Sequence, residues 1–248
     1  MLRGLYTFAS SLLADTAWEN TIGNNLDNLS TPGYKAQAPV IGQFGSVLLQ
    51  RLGQTPGPVG TLSDGAAVAQ TVSNLAQGPI QTTGRNLDVA PLGGAWLSVR
   101  TAAGVRYTQD GALSLSPTGQ LVTAQGDLVL GQTGQPITVP AGQSVRIAQD
   151  GTVTAGAAPV GRLLLTAFTQ PIRLVSQADG LFQAPAAAGA RPYAVGVGVL
   201  AGALQASNVN EWTLMTDLAQ VQASFQASQT AMTTADQTFG QLLSDLGK

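Results

Sequence analysis

The sequence has no cysteine and no histidine. Without thiols there is no disulfide framework, no thiolate nucleophile and no Cys-rich zinc site. Without histidine the commonest general base and the commonest transition-metal ligand are also missing. Charge is scarce too. Asp, Glu, Lys and Arg make up 10% of the 248 residues, against about a quarter in typical soluble domains. Lysine occurs only at Lys35 and Lys248, and the formal net charge is −2, so the basic stripe of a nucleic-acid binder is absent. Such low charge fits either a compositional bias or a surface covered by other protein, because interface cores are depleted of charge. No run of about eighteen apolar residues exists, so no membrane span is expected. The start, Met1-Leu2-Arg3-Gly4-Leu5-Tyr6, has one basic residue and lacks the continuous apolar core of a secretory signal. A cytoplasmic protein, or one exported without a cleaved signal, would both look like this.

The acids offer little catalytic chemistry. Glycoside hydrolysis needs two facing carboxylates roughly 5–10 Å apart, yet the only glutamates are Glu19 and Glu211, one near each end. Most aspartates of the central region lie in Asp-Gly or similar turns, where the side chain bonds its own backbone. Gly196-x-Gly198-x-x-x-Gly202 lacks dinucleotide-binding spacing and reads as a strand with close backbone approach. Asn28-Leu29-Ser30 matches a glycosylation sequon but falls at a helix end. No catalytic, cofactor-binding or metal-ligating residue is expected, and no small-molecule substrate.

What is present lies at the two ends. Leu214, Leu218, Val221, Phe225, Ser228, Met232, Ala235, Phe239, Leu242 and Leu246 follow alternating spacings of four and three. A repeat of about 3.5 residues held this long predicts a helix with a coiled-coil seam. Ser207, Asn208 and Asn210 are its N-cap candidates, and Glu211 suits the first turn. At the other end Leu5, Phe8 and Leu12, then Trp18, Ile22, Leu26 and Leu29, recur at helical spacing with a phase shift near Asp15. That helix is expected to stop at Ser30-Thr31-Pro32-Gly33. Pairing the two would form an antiparallel coiled coil that brings the termini together.

Between the helices the texture changes twice. Residues 36–80 are rich in Gly, Pro and Gln and read as an extended or irregular linker, with short strands around Val47-Leu48-Leu49. From about 80 to 206 short apolar runs such as Trp96–Val99, Leu121–Thr123, Leu128–Leu130, Val145–Ile147 and Leu163–Leu165 are punctuated by turns, among them Asp110-Gly111 and Asp150-Gly151. The expected class is α+β, in four parts: an N-terminal helix in 1–35, the linker 36–80, a β-rich domain in 81–206, and a C-terminal helix in 207–248.

Three stretches carry a resemblance. The first is Asn24-Asn25-Leu26-Asp27-Asn28-Leu29-Ser30-Thr31-Pro32-Gly33-Tyr34-Lys35. The second runs through Asn86–Ala90, Gly94–Val99, Tyr107-Thr108-Gln109-Asp110-Gly111 and Gly119–Val122. The third is Gly202–Asn210, leading into the C-terminal helix. Together and in this order they resemble the bacterial flagellar rod and hook family of axial proteins. The short length is more like a rod than a hook member, and Gly94-Ala95-Trp96-Leu97 with Leu5-Tyr6-Thr7 is more like the proximal than the distal rod type. Gln109, where the family usually has Arg, and the variants Pro32 and Tyr34 depart from its pattern.

The resemblance implies a non-enzymatic subunit that passes through the flagellar type III export apparatus. It would then polymerise with itself and other rod proteins into a helical tube in the basal body, outside the cytoplasm, transmitting torque and forming part of the export channel. The seam residues would be the assembly interface. Asn24, Asn25, Asn28, Thr31, Gly33, Tyr107, Asp110, Gly111, Ser207, Asn208 and Asn210 match the family signature. The amides of Asn24, Asn25 and Asn28 either mark a frayed helix end or bond neighbouring subunits or the adjoining strand. A competing reading is a secreted β-rich binding module with helical oligomerisation arms, for which Trp96 and Tyr107 would supply an aromatic platform.

Overall fold

The computed structural model describes residues 2–43, 46–51, 57–63, 65–193 and 198–246. The class is α+β: a helix near each end and a β-rich region between them. α1 spans Leu2–Asp27 and α2 spans Glu211–Leu246. The phase shift near Asp15 does not break α1. Asn210 Oδ1 accepts hydrogen bonds from the backbone N–H of Trp212 at 3.0 Å and of Thr213 at 3.3 Å. Of the three N-cap candidates, Asn210 therefore does the capping.

Two compact units divide the chain. One comprises Met1–Asp27, Gln37–Val72 and Asn210–Lys248; the other comprises Asn28–Ala36 and Ser73–Val209. In the first unit the described part of segment 36–80 is more regular than its Gly and Pro content predicts. It holds β1 (Gln37–Gln43), β2 (Ser46–Arg51), β3 (Gly57–Ser63) and β4 (Ala66–Ser73). β2 pairs antiparallel with β3, and β1 pairs with β4. Glycine and proline weaken strand propensity locally, but a partner across a hairpin satisfies the backbone groups, and no local signal reports that partner.

The second unit is built around Trp96–Thr101. That strand pairs with Gly104–Thr108, with Leu128–Val129 and, further along its length, with Leu165–Phe168. The sheet extends outward through Leu121–Val122 and Ser114–Leu115 on one side and Phe182–Gln183 and Val175–Ser176 on the other. A three-stranded sheet of Val145–Ile147, Thr152–Ala155 and Ala158–Arg162 stands beside it. Val89, Leu97, Val99, Leu121, Val129, Ile147, Val153, Leu163 and Val199 form one continuous apolar core.

A smaller aromatic core adjoins. Trp96 packs edge-on to Phe182 at 4.9 Å and to Phe168 at 6.2 Å, and Tyr107 packs on Phe168 at 4.9 Å. These rings are structural, since T-shaped pairs of this kind stabilise a core. The exposed aromatic platform required by the binding-module reading is not formed by Trp96 and Tyr107. Leu163 and Leu164, expected as strand, precede it; the strand is Leu165–Phe168.

Candidate assembly surface

The two ends of the β-rich unit meet in a polar knot. Chain returning along Ala203–Gln205 pairs with Ile80–Thr82, which brings residues 205–209 beside 28–36 and 73–79. Asn208 is the hub. Its Oδ1 accepts from the Ala36 N–H at 2.7 Å, and its Nδ2 donates to the carbonyls of Asn74 at 2.8 Å and Ala76 at 2.9 Å. Asn208 thus bridges backbone from two remote segments, a role its candidacy as a helix cap did not reveal. Ser207 Oγ accepts from the Val209 N–H at 3.3 Å, closing a short turn before α2.

Gly33 has a side-chain-free role in the same knot. Its φ is +69°, and a Cβ there would lie 2.3 Å from the Asp110 nitrogen. Its N–H donates to the Gln205 carbonyl at 2.7 Å. Only glycine allows this backbone approach. Gly111 is equally constrained, because a Cβ would fall 1.6 Å from the Val89 carbonyl oxygen. Asp110 Oδ1 accepts from the Ala112 N–H at 2.9 Å, the Asp-Gly turn bond that the sequence predicts. Burial pushes the Asp110 carboxyl up, the Ala112 bond opposes that shift, and Asp88 adds to it. Thr31 Oγ1 donates to Asn28 Oδ1 at 3.1 Å, tightening the turn that follows α1.

Lys35 lies beneath this turn, 1% exposed. Its Nζ donates to the Ala76 carbonyl at 2.8 Å and, with the Gln205 amide in its satisfied orientation, to Gln205 as well at 2.6 Å. Gln205 then bridges to Gln109 and to the Gly78 N–H. The ammonium faces neutral acceptors, so burial pulls its pKa down to about 8. Tyr34, also buried, is pushed up to about 12 by desolvation. Sequence reading passed over Lys35 and Gln205 as site residues. A lone lysine following a glycine turn was the only signal.

In the helical unit, Asn25 clasps the first residue of β1. Its Nδ2 donates to the Gln37 carbonyl at 2.7 Å, and its Oδ1 accepts from the Gln37 N–H at 2.8 Å. The side chain thus imitates a strand partner, which accounts for a poor helix former near a helix end. Asn24 is exposed one position earlier.

The expected seam residues are graded along the helices. Ile22, Leu214 and Val221 are fully buried, as is Ala14. Phe8, Leu12, Trp18, Leu218, Phe225, Met232 and Phe239 are half-buried, whereas Leu29, expected at the end of the first helix, lies in the turn after α1, which stops at Asp27. Leu26 and Leu242 are exposed, and the Leu5 side chain lies outside the described residues. Between α1 and α2, Ser224 Oγ donates to the buried Asp15 carboxylate at 2.9 Å. Exposed apolar groups remain beside this stripe: Trp212 at 84%, Leu13 and Tyr6 at 73%, and Leu243 at 70%.

Away from this surface, the described residues form one further open site. An open groove of about 430 Å³ is lined by Gly84, Arg85, Asn86, Leu87, Leu115 and Gln143–Val145, with Arg85 its single charged group. Among the described residues no cluster of acids is arranged to hold a metal ion, and no helix is long and apolar enough to cross a membrane.

Comparison with known proteins bears on this surface. The family described as "Flagellar hook protein FlgE/F/G D1 domain" matches residues 92–155, and "Flagellar basal body rod FlgEFG protein C-terminal" matches residues 200–245. The chain is similar to the flagellar basal-body rod protein FlgF of Salmonella typhimurium, at 33% identity over 98% of this chain and 99% of that protein. FlgF of Escherichia coli is likewise 33% identical over 98% and 99% of the two chains. The rod protein FlgG of Bacillus subtilis is 29% identical over 98% of each. With sequence likeness running from end to end, through both terminal helices and the polar knot, the chain belongs to the flagellar basal-body rod protein family, of the proximal, FlgF-like kind.

Proposed function

We propose that this chain is a non-enzymatic structural subunit of the flagellar basal-body rod, and that its terminal helices are the polymerising element. The observation that carries this reading is the apolar stripe of α2. It continues past Val221 through half-buried Phe225, Met232 and Phe239 to exposed Leu242 and Leu243. α2 has 36 residues and α1 has 26. At 1.5 Å per residue α2 is therefore about 15 Å the longer. A stripe that outruns its cover is completed by another molecule, since exposed apolar surface beside a helix seam marks an interaction site.

We read α1 and α2 as an antiparallel coiled coil, with the Asp15–Ser224 contact at the middle of the pairing. The four-part division into 1–35, 36–80, 81–206 and 207–248 serves this arrangement, with the helices as the axial core and the β-rich part outside. Contacts that do not close into a ring generate a helical tube, whose task is to transmit torque and line the export path. The expected partners are further copies, other rod proteins and the export apparatus, which the chain passes without a cleaved signal. Absence of cysteine suits that route, because no disulfide locks the chain before transit.

The test is mass spectrometry of detergent-resistant hook–basal bodies from the source bacterium. The chain is expected there together with other rod proteins. Finding it free in the medium or cytoplasm and missing from the particles would overturn the assignment.

A further inference from the structure

Both terminal helices carry apolar groups on a side that their mutual packing does not use. In α2, Trp212, Met215, Ala219 and Ala223 recur at spacings of three, four and four, which sets them in one row along the helix. All four are exposed. Leu214 and Val221, the fully buried groups of this helix, point the other way. Between Trp212 and Ala223 the single charged residue is Asp217, which is half-buried on the opposite side of the helix. Glu211 stands at the N-terminal edge of the row.

α1 has a matching row. Tyr6 and Leu13 lie seven residues, two helical turns, apart on one side. Both are exposed, while Ala14 and Ile22 are buried. The small Ala9 lies between them, and Ala17 follows one turn beyond Leu13. Between Tyr6 and Asn20 the charged residues are Asp15, buried against Ser224, and Glu19, about 120° around the helix from Leu13. Single exposed apolar residues are ordinary, but rows of them mark contact surfaces. Interface cores gain Trp, Tyr and Met and lose charge, whereas the outer face of a helix that meets only water is polar and charged. The sizes also complement each other. Ala219 and Ala223 leave gaps that Leu13 fills, and Ala9 and Ala17 leave gaps for Met215, the interlocking that lets two helices pack closely.

We propose that the Trp212–Ala223 row of one copy docks on the Tyr6–Leu13 row of a second copy. The inference rests on the reading of the chain as a rod subunit and deepens it, by naming a contact face apart from the overhanging end of α2. Every copy carries both rows, so the contact is heterologous and repeats without closing. Row against like row would instead pair two copies about a two-fold axis and stop there. Trp212 is the anchor of the contact, since buried tryptophans contribute most at interfaces.

The experiment uses the absence of cysteine from the chain. Full-length chains with Leu13→Cys and with Ala219→Cys are produced together in the source bacterium, and its basal bodies are isolated and mildly oxidised. A disulfide between positions 13 and 219 of different copies is expected, identified by mass spectrometry of the dimer band. Disulfide formation requires the two backbones to lie within about 7 Å, so the bond reports direct contact. A second chain carries Trp212→Gln and Met215→Gln. Both side chains are exposed, so the fold is expected to persist by circular dichroism, while incorporation into basal bodies falls by roughly tenfold or more.

Particles that contain both cysteine chains but no mixed disulfide overturn the proposal, as do particles in which 13–13 or 219–219 bonds predominate. Normal incorporation of the glutamine chain overturns it too. Should either cysteine chain fail to enter the particles, the glutamine chain decides alone. These outcomes leave the rod assignment standing, which fails only if the unsubstituted chain is missing from the basal body.

Discussion

At Lys35 a charged group is held by neutral partners alone, and this has a consequence for stability. Its folded pKa is about 8 against 10.5 for the free side chain. Between those values the unfolded chain binds the extra proton, so stability rises with pH from about 8 to about 10.5. Tyr34 acts with the opposite sign. At about 12 in the fold against 10.0 outside it, its proton is lost first from the unfolded chain, and stability falls from about pH 10 to 12. Denaturant midpoints across pH 7–12 should therefore peak near pH 10. Lys35→Met should flatten the rise and stabilise the fold at pH 7 by about 1–2 kcal/mol, because its acceptors keep other donors. Tyr34→Phe should reduce the fall. A profile in which Lys35→Met leaves the rise intact would show that another group causes it.

Gly33 makes a stricter demand at the same scale. Adding one methyl places carbon 2.3 Å from the Asp110 nitrogen and imposes a positive φ on alanine. Gly33→Ala should cost about 3 kcal/mol or more, measured as a lowered denaturation midpoint. An unchanged midpoint would mean that the knot around residues 28–36 relaxes freely.

Among elements, α2 shows a gradient. Leu214 and Val221 are fully covered, and beyond Val221 no described side chain of the helix is fully buried. Substituting aspartate at Leu218 or Phe225 puts charge into a half-covered stripe. Each should abolish incorporation into basal bodies while leaving the packing of Trp96 with Phe168 and Phe182 intact. Motility and near-ultraviolet circular dichroism measure the two halves of that expectation. A variant that still assembles and swims would remove the stripe from the assembly surface.

For the molecule as a whole, the two compact units differ in how much they bury. The β-rich unit has a continuous core of side chains, while α1 and α2 share a handful of buried groups. Helical signal should therefore melt at a lower temperature than the aromatic signal of the β core. Coincident melts by both probes would indicate a single cooperative structure.

Periodicity, caps and composition were local properties, so the sequence by itself determined the two terminal helices, the β texture between them, Asn210 as a cap candidate and the lack of thiols and imidazoles. The family signature was legible for the same reason, as short motifs in a set order. Tertiary structure decided what those motifs do. Asn208 as a hub, Asn25 as a substitute strand partner, Lys35 under the Gln205–Gln109 bridge, and the strands of 37–73 all depend on partners remote in the chain. Hydrogen-bond satisfaction and burial belong to pairs of residues, and one member of a pair, read alone, does not name the other.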